Sequence, residues 1–180
     1  LVAAYTYDAN GRRIGKVVSG GITQRFIYAD VETIETCDGS NNWKQDFVFD
    51  VTGIDRVLML EQADVLDEDG DSNTSELTRS YYHRNALGSV TEISTASQIE
   101  AASYRYSPYG EVSITRGGTP QGSDPLQQAW TFSGRFVDEE AGLLYYRARR
   151  VSSVVGRFLE RDPRGYAEGP SLFEYVRSNP

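Results

Sequence analysis

The sequence predicts an all-β fold: an antiparallel strand ribbon of hairpin repeats, with a short irregular or helical C-terminal segment. Three observations lead there. Of 180 residues, twelve are Tyr and seventeen are Gly, a balance that favours strands joined by tight turns over a helical bundle. An aromatic-x-aromatic unit recurs along the chain. Several copies run directly into residues that favour turns.

The first unit is "YTYDANGRR", residues 5–13, with its second ring at Tyr7. Two rings separated by one residue lie on the same face of an extended strand. Asn and Gly then tolerate positive φ, and Asp8 can close the turn with its own side chain. "RRIGKVVSGG" runs back as the return strand. The unit recurs as "FIYAD" with Tyr28 and "FVFDVTG" with Phe49, two successive spacings of 21 residues. "YYHRNALG" with Tyr82 and "YRYSPYG" with Tyr106 follow at spacings of 33 and 24. "WTFSGR" and "LYYRAR" keep the rhythm loosely. One hairpin is marginal alone, so neighbours must share a sheet and bury the aromatic face together. These units define residues 1–63 as a repeat segment and 64–80 as an acidic insertion loop, with 81–180 as a further region. "ITRGGTPQGSDPLQQ", residues 114–128, reads as a flexible surface excursion. "PSLFEYVRSN" reads as one or two helical turns. The abrupt start and finish suggest a segment excised from a longer protein.

Composition narrows the function. A net charge of −8 argues against nucleic acid, whose phosphates need clustered Lys and Arg. No apolar run approaches the roughly 20 residues of a membrane-spanning helix. With one cysteine, Cys37, there is no intrachain disulfide, and with one histidine, His83, a Cys/His zinc site is excluded. Cys37 has no base in its motif and is expected to be inert, and His83 is expected to be structural. Asp67, Asp69, Asp71 and Asn73 alternate like the early ligands of a calcium loop. Gly70 and Thr78, however, stand where such a loop needs other residues. Glu139 and Glu140 are adjacent and precede Ala-Gly, which fits a hairpin better than a glycosidase pair facing across a cleft. Asp138, Glu139 and Glu140 are expected to form cross-strand ion pairs with Arg147, Arg149 and Arg150.

The ordered motifs carry a family resemblance. "YTYDANGRR" resembles the tyrosine-aspartate (YD) repeat of bacterial RHS (rearrangement hotspot) proteins. "YYHRNALGSVTEIS", "YRYSPYGEVSI", "WTFSGRFVDEEAGLLYYRAR", "GRFLERDPRGY" and "EYVRSNP" follow in the order of the RHS repeat-associated core domain, placing that core at 81–180. The resemblance implies a ribbon that spirals into a hollow β-shell of a secreted or surface bacterial protein. That shell encloses or presents a C-terminal effector of the same polypeptide, and other RHS repeats are its partners. It also implies an aspartyl self-protease that cuts after a later Asp-Pro-x-Gly-Leu motif, a cut site expected past residue 180. "RDPRG" places Arg161 and Asp162 at catalytic positions of that activity, with Arg161 able to hold Asp162 in a charge-assisted pair. The chain departs from the family at Arg150, Val151, Ser152 and Ser153, where Arg-Ala-Arg is usually followed by Tyr-Tyr-Asp-Pro, and again at Ser171 and Phe173. A surface module binding a cell-surface protein or glycan through the 64–76 and 114–128 loops is the other reading.

Overall fold

The computed structural model describes residues 2–21, 23–63 and 77–179. It is all-β and antiparallel, as expected. Eleven strands form one sheet in strict sequence order: β1 Ala3–Tyr7, β2 Arg13–Val18, β3 Thr23–Ala29, β4 Glu32–Asp38, β5 Trp43–Phe49, β6 Val57–Ala63, β7 Leu77–Arg84, β8 Val90–Thr95, β9 Glu100–Tyr106, β10 Val112–Arg116 and β11 Thr119–Gln121. A second sheet, β12 Phe136–Asp138, β13 Leu143–Tyr146, β14 Arg149–Ser152 and β15 Arg157–Phe158, is also ordered sequentially. Three short 3₁₀ turns complete the described chain: Phe132–Gly134, Gly165–Glu168 and Val176–Ser178.

Five of the hairpin loops share one chemistry. At Asp8, Asp38, Asn85, Thr95 and Ser107 the amide donates to the carbonyl four residues on, and the carbonyl accepts from the amide three residues on. That third residue is left-handed every time, at Gly11, Asn41, Gly88, Gln98 and Gly110. This is a type I turn followed by a left-handed residue. The first residue's side chain completes it. Asp8 Oδ1 accepts from the Asn10 and Arg12 amides at 2.9 and 2.8 Å. Asp38 Oδ1 repeats this with Ser40 and Asn42, and Asn85 Oδ1 with Leu87 and Ser89. The aromatic preceding the loop sits at a bulge at Tyr7, Tyr28 and Phe49, and the register shifts likewise after His83. Such bulges sharpen strand twist.

Strand alternation sets the core. Phe26, Phe47, Leu60, Tyr82, Ile93, Ala102 and Tyr104 are buried on one face, with Tyr28, Phe49 and Tyr106 packed beside them. The second sheet builds a smaller cluster from Phe132, Leu144, Val151, Phe158 and Tyr175.

Two local expectations change. Strand β7 begins at Leu77, so residues 77–80 are sheet rather than insertion loop, and β6 pairs directly with β7. Residues 114–128 are not a flexible excursion. After the β10–β11 hairpin the chain packs onto the inner face of the ribbon, burying Asp124, Leu126 and Gln128. Sheet side chains satisfy this strap. Gln62 Nε2 donates to the Leu126 carbonyl at 2.9 Å, Gln45 Nε2 to the Gln127 carbonyl at 3.2 Å, and the Tyr104 hydroxyl to Asp124 Oδ2 at 2.8 Å. Trp130 ends the strap among Phe47, Phe49 and Phe136, edge to face with each ring.

Burial pushes the Asp124 carboxyl up to about 6, despite opposing bonds from the Leu126 amide, Tyr104 and Gln128. A carboxyl raised on folding stabilises fully in acid, below the ordinary aspartate range. That contribution is lost as pH climbs through about 6. Relative to Asp124→Asn, the wild-type chain should therefore lose about 2 kcal/mol between pH 4.5 and 7.5. Urea unfolding of both proteins across that range checks the sign and the size.

Candidate functional site

Asp162 lies in the turn after β15 and has two sets of partners. Its Oδ1 accepts from the Arg164 amide at 2.8 Å, and its carbonyl accepts from the Gly165 amide. Its Oδ2 meets Arg149 Nη1 at 2.8 Å. Its own amide donates to the Leu172 carbonyl, which ties the turn to the C-terminal segment. The charge partner is therefore Arg149 on β14 and not the adjacent Arg161, which is exposed. Arg149 also stacks on the Phe158 ring at 3.5 Å, fixing the fork that holds Asp162.

The other single candidates resolve simply. His83 Nε2 is 2.8 Å from Ser94 Oγ across β7 and β8. The Cys37 thiol is buried and donates to Glu35 Oε1 at 3.0 Å; burial and then that carboxylate push it up to about 11, which keeps it a thiol. Asp67, Asp69, Asp71 and Asn73 lie outside the described residues. Among the described residues no cluster of three His, Cys, Asp or Glu side chains is placed to hold a metal.

The charged residues of 138–150 form a hairpin, but their ion pairs run elsewhere than across it. Ala141 and Gly142 close its turn onto the Asp138 and Glu139 carbonyls. Asp138, with no exposed side chain, accepts from Arg13 Nη1 through both oxygens at 2.7 Å. Arg13 is 2% exposed, and its guanidinium lies 4.3–5.2 Å from the ring centroids of Tyr5, Phe26, Phe136 and Tyr145. Its Nε has no oxygen partner, so these ring faces are its surroundings. Lys16 reaches Glu140 at 3.1 Å and Asp138 at 3.6 Å, while the Tyr5 hydroxyl donates to Glu140. The first two strands of the ribbon are thereby fastened to β12.

A second junction centres on Asp55. This left-handed residue in the β5–β6 loop is buried and receives two guanidinium groups. Arg147 forks onto it at 2.7 and 3.0 Å, and Arg135 adds a short charge-assisted bond. The Asp55 amide donates to Glu32 Oε1 at 2.8 Å. Gly134 packs under the Asp55 carbonyl, where a Cβ would come within 2.6 Å. Arg150 turns to Glu160, two residues past β15. Sequence reasoning missed both junctions because the partners stand 125, 80 and 92 residues apart.

What the arrangement does chemically is fix one sheet against the other. Buried Asp138 takes Arg13 from the ribbon and buried Asp55 takes Arg135 and Arg147 from beside the second sheet, and the seam between sheets becomes specific in register.

Comparison with known proteins gives the following. No protein-family model matches the chain. It is 30% identical to the tRNA3(Ser)-specific nuclease WapA of Bacillus spizizenii over 99% of the chain and 7% of that protein. It is 28% identical to the toxin subunit YenC1 of Yersinia entomophaga over 98% of the chain and 18% of that protein. The fold matches a crystal structure of TcdB2-TccC3 with a TM-score of 0.71 and 24% identity, covering 99% of the chain and 9% of the solved one. The chain thus spans less than a fifth of each of these proteins.

The Arg13–Asp138 pair yields a direct test. Arg13→Met or Asp138→Leu alone strands a buried charge and should cost about 3–5 kcal/mol. Arg13→Met combined with Asp138→Leu should recover most of that loss. A double-mutant cycle by urea denaturation measures the difference.

Proposed function

We propose that this chain is a wall segment of an RHS-type shell, comprising YD-type repeats and the repeat-associated core, in a secreted bacterial toxin protein. The wall encloses or presents a C-terminal effector of the same polypeptide. One observation carries the reading: an uninterrupted eleven-stranded ribbon in sequence order, whose inner face is covered by the strap and fastened to a second sheet. Such a ribbon extends by adding strands at its edges, and five of its loops repeat one turn chemistry. The relatives support it, since those compared above are named as a nuclease and a toxin subunit and are several times longer than this chain. Among the described residues no helix is long and apolar enough to cross a membrane.

Limited proteolysis of the full-length protein containing this chain tests enclosure. Under native conditions the region following the shell should resist a protease that cuts it readily once excised. Asp138→Asn, which loosens the seam, should lower the protease concentration needed to cut it about tenfold. Equal sensitivity of the enclosed and excised region would overturn the reading.

Asp162 fits this role as a latch that pins the C-terminal segment to β14 through Arg149. Chain cleavage would require a second carboxyl to share a proton with it. A gel of the full-length protein beside its Asp162→Asn variant decides between the two. The latch role predicts the same band pattern for both. Loss of a cleavage product in the variant would assign Asp162 to cleavage instead.

A further inference from the structure

A cavity of about 250 Å³ opens beneath the β1–β2 and β3–β4 turns, next to the Asp55 junction. Its size falls below the roughly 300–1,000 Å³ of sites for drug-sized ligands, so it suits a molecule with a single ring. Rings and arginines dominate the walls, with the acids Asp30 and Asp55 beside them. Tyr28, Phe136 and Tyr145 present aromatic surface, and Arg12, Arg135 and Arg147 present guanidinium groups. All three arginines are partly open to solvent, at 33, 27 and 35%.

Donors outnumber acceptors in the cavity: of its two acids, Asp55 is already taken by Arg135 and Arg147. A guanidinium carries five N–H donors. Arg12 spends Nε on Asp8 and Nη1 on the Asp30 carbonyl. Arg135 spends Nη1, and Arg147 spends Nη1 and Nη2, all on the one Asp55 carboxylate. Most of the donors on these three side chains thus lack a protein acceptor among the described residues, and Arg135 Nε is buried without one. Guanidinium planes accept carboxylates through paired parallel bonds and stack on rings. The acceptor that would complete them must come with a flat apolar body to match the walls.

We infer that this cavity is a binding site for a small monocyclic aromatic carboxylate, with the ring held among Tyr28, Phe136 and Tyr145 and the carboxylate turned to Arg12, Arg135 and Arg147. Both parts are needed. A bare anion would leave the rings uncovered, and a neutral ring would leave the donors unmet. Entry lies past Val31 and Asn10, residues at the tips of the two overhanging turns that also line the cavity. The site is independent of the shell reading, because it needs only the β1–β6 hairpins, Trp130–Phe136 and β13.

Calorimetric titration of the full chain with benzoate, acetate, inorganic phosphate and benzyl alcohol tests it. Benzoate should bind saturably at one site per chain, at least tenfold more tightly than each of the other three. Val31→Trp fills the entrance without removing an arginine and should weaken benzoate at least tenfold at an unchanged melting temperature. Should that variant melt lower, Asn10→Trp blocks the same entrance from the opposite turn. The inference falls if benzoate does not saturate, which means a hydrated void. It also falls if acetate or phosphate binds as tightly, which means a bare anion patch, or if the folded blocked variant retains full affinity.

Discussion

Arg13 is the residue on which the assembly turns. A guanidinium that is 2% exposed needs a carboxylate, and the one it has belongs to the other sheet. Desolvating both charges costs several kcal/mol per ion, which good geometry and further hydrogen bonds must offset. The four rings around Arg13 and the nearby Lys16–Glu140 pair supply that setting. Little of the resulting gain is net stability. What it enforces is register: slip either sheet by one residue and Arg13 or Asp138 turns to the wrong face, leaving a charge alone in the core.

The rest of the fold follows from that constraint. The ribbon makes its own hairpins through side chains that bond the loop amides, a local matter needing no partner. Its inner face is another question, because nine of the 21 buried residues on the ribbon strands are polar or charged. Gln45 and Gln62 do not face apolar cover but offer amides to the strap's carbonyls, and Thr36 joins them through Gln45. The strap is therefore read by the sheet through hydrogen bonds as much as through area. Asp55 repeats the Arg13 arrangement with the signs exchanged, one buried acid collecting two arginines.

How much of this could be read from the sequence depends on range. The turn at "YDANG" was legible because Asp8 acts on residues two and four positions away. The aromatic face was legible because alternation is a property of the strand itself. The strap was not. Gly, Pro and Ser in residues 114–128 signal a loop correctly, yet composition says nothing about what the loop lies on. Leu126 amid polar neighbours, and glutamines at the inward positions beside Phe47 and Leu60, were the available hints. At the candidate sites, Asp162 was picked out, but its partner was assigned to its neighbour Arg161 when strand pairing supplies Arg149. Arg13 and Asp55 look like ordinary turn-flanking charges until chain segments 80 to 125 residues away arrive beside them.

Strict sequence order in the ribbon also has a consequence in time. Each strand finds its neighbour as soon as both exist, so the sheet can lengthen as the chain is made. Arg13 cannot be served that way, since Asp138 follows 125 residues later. At synthesis rates of about 5–20 residues per second, that is a wait of roughly 6–25 s. Throughout it the guanidinium and the glutamine-lined face remain wet, and the growing edge stays open. The polar character of that face is then a kinetic asset: it lets an unfinished ribbon stand in water until the last strands cover it.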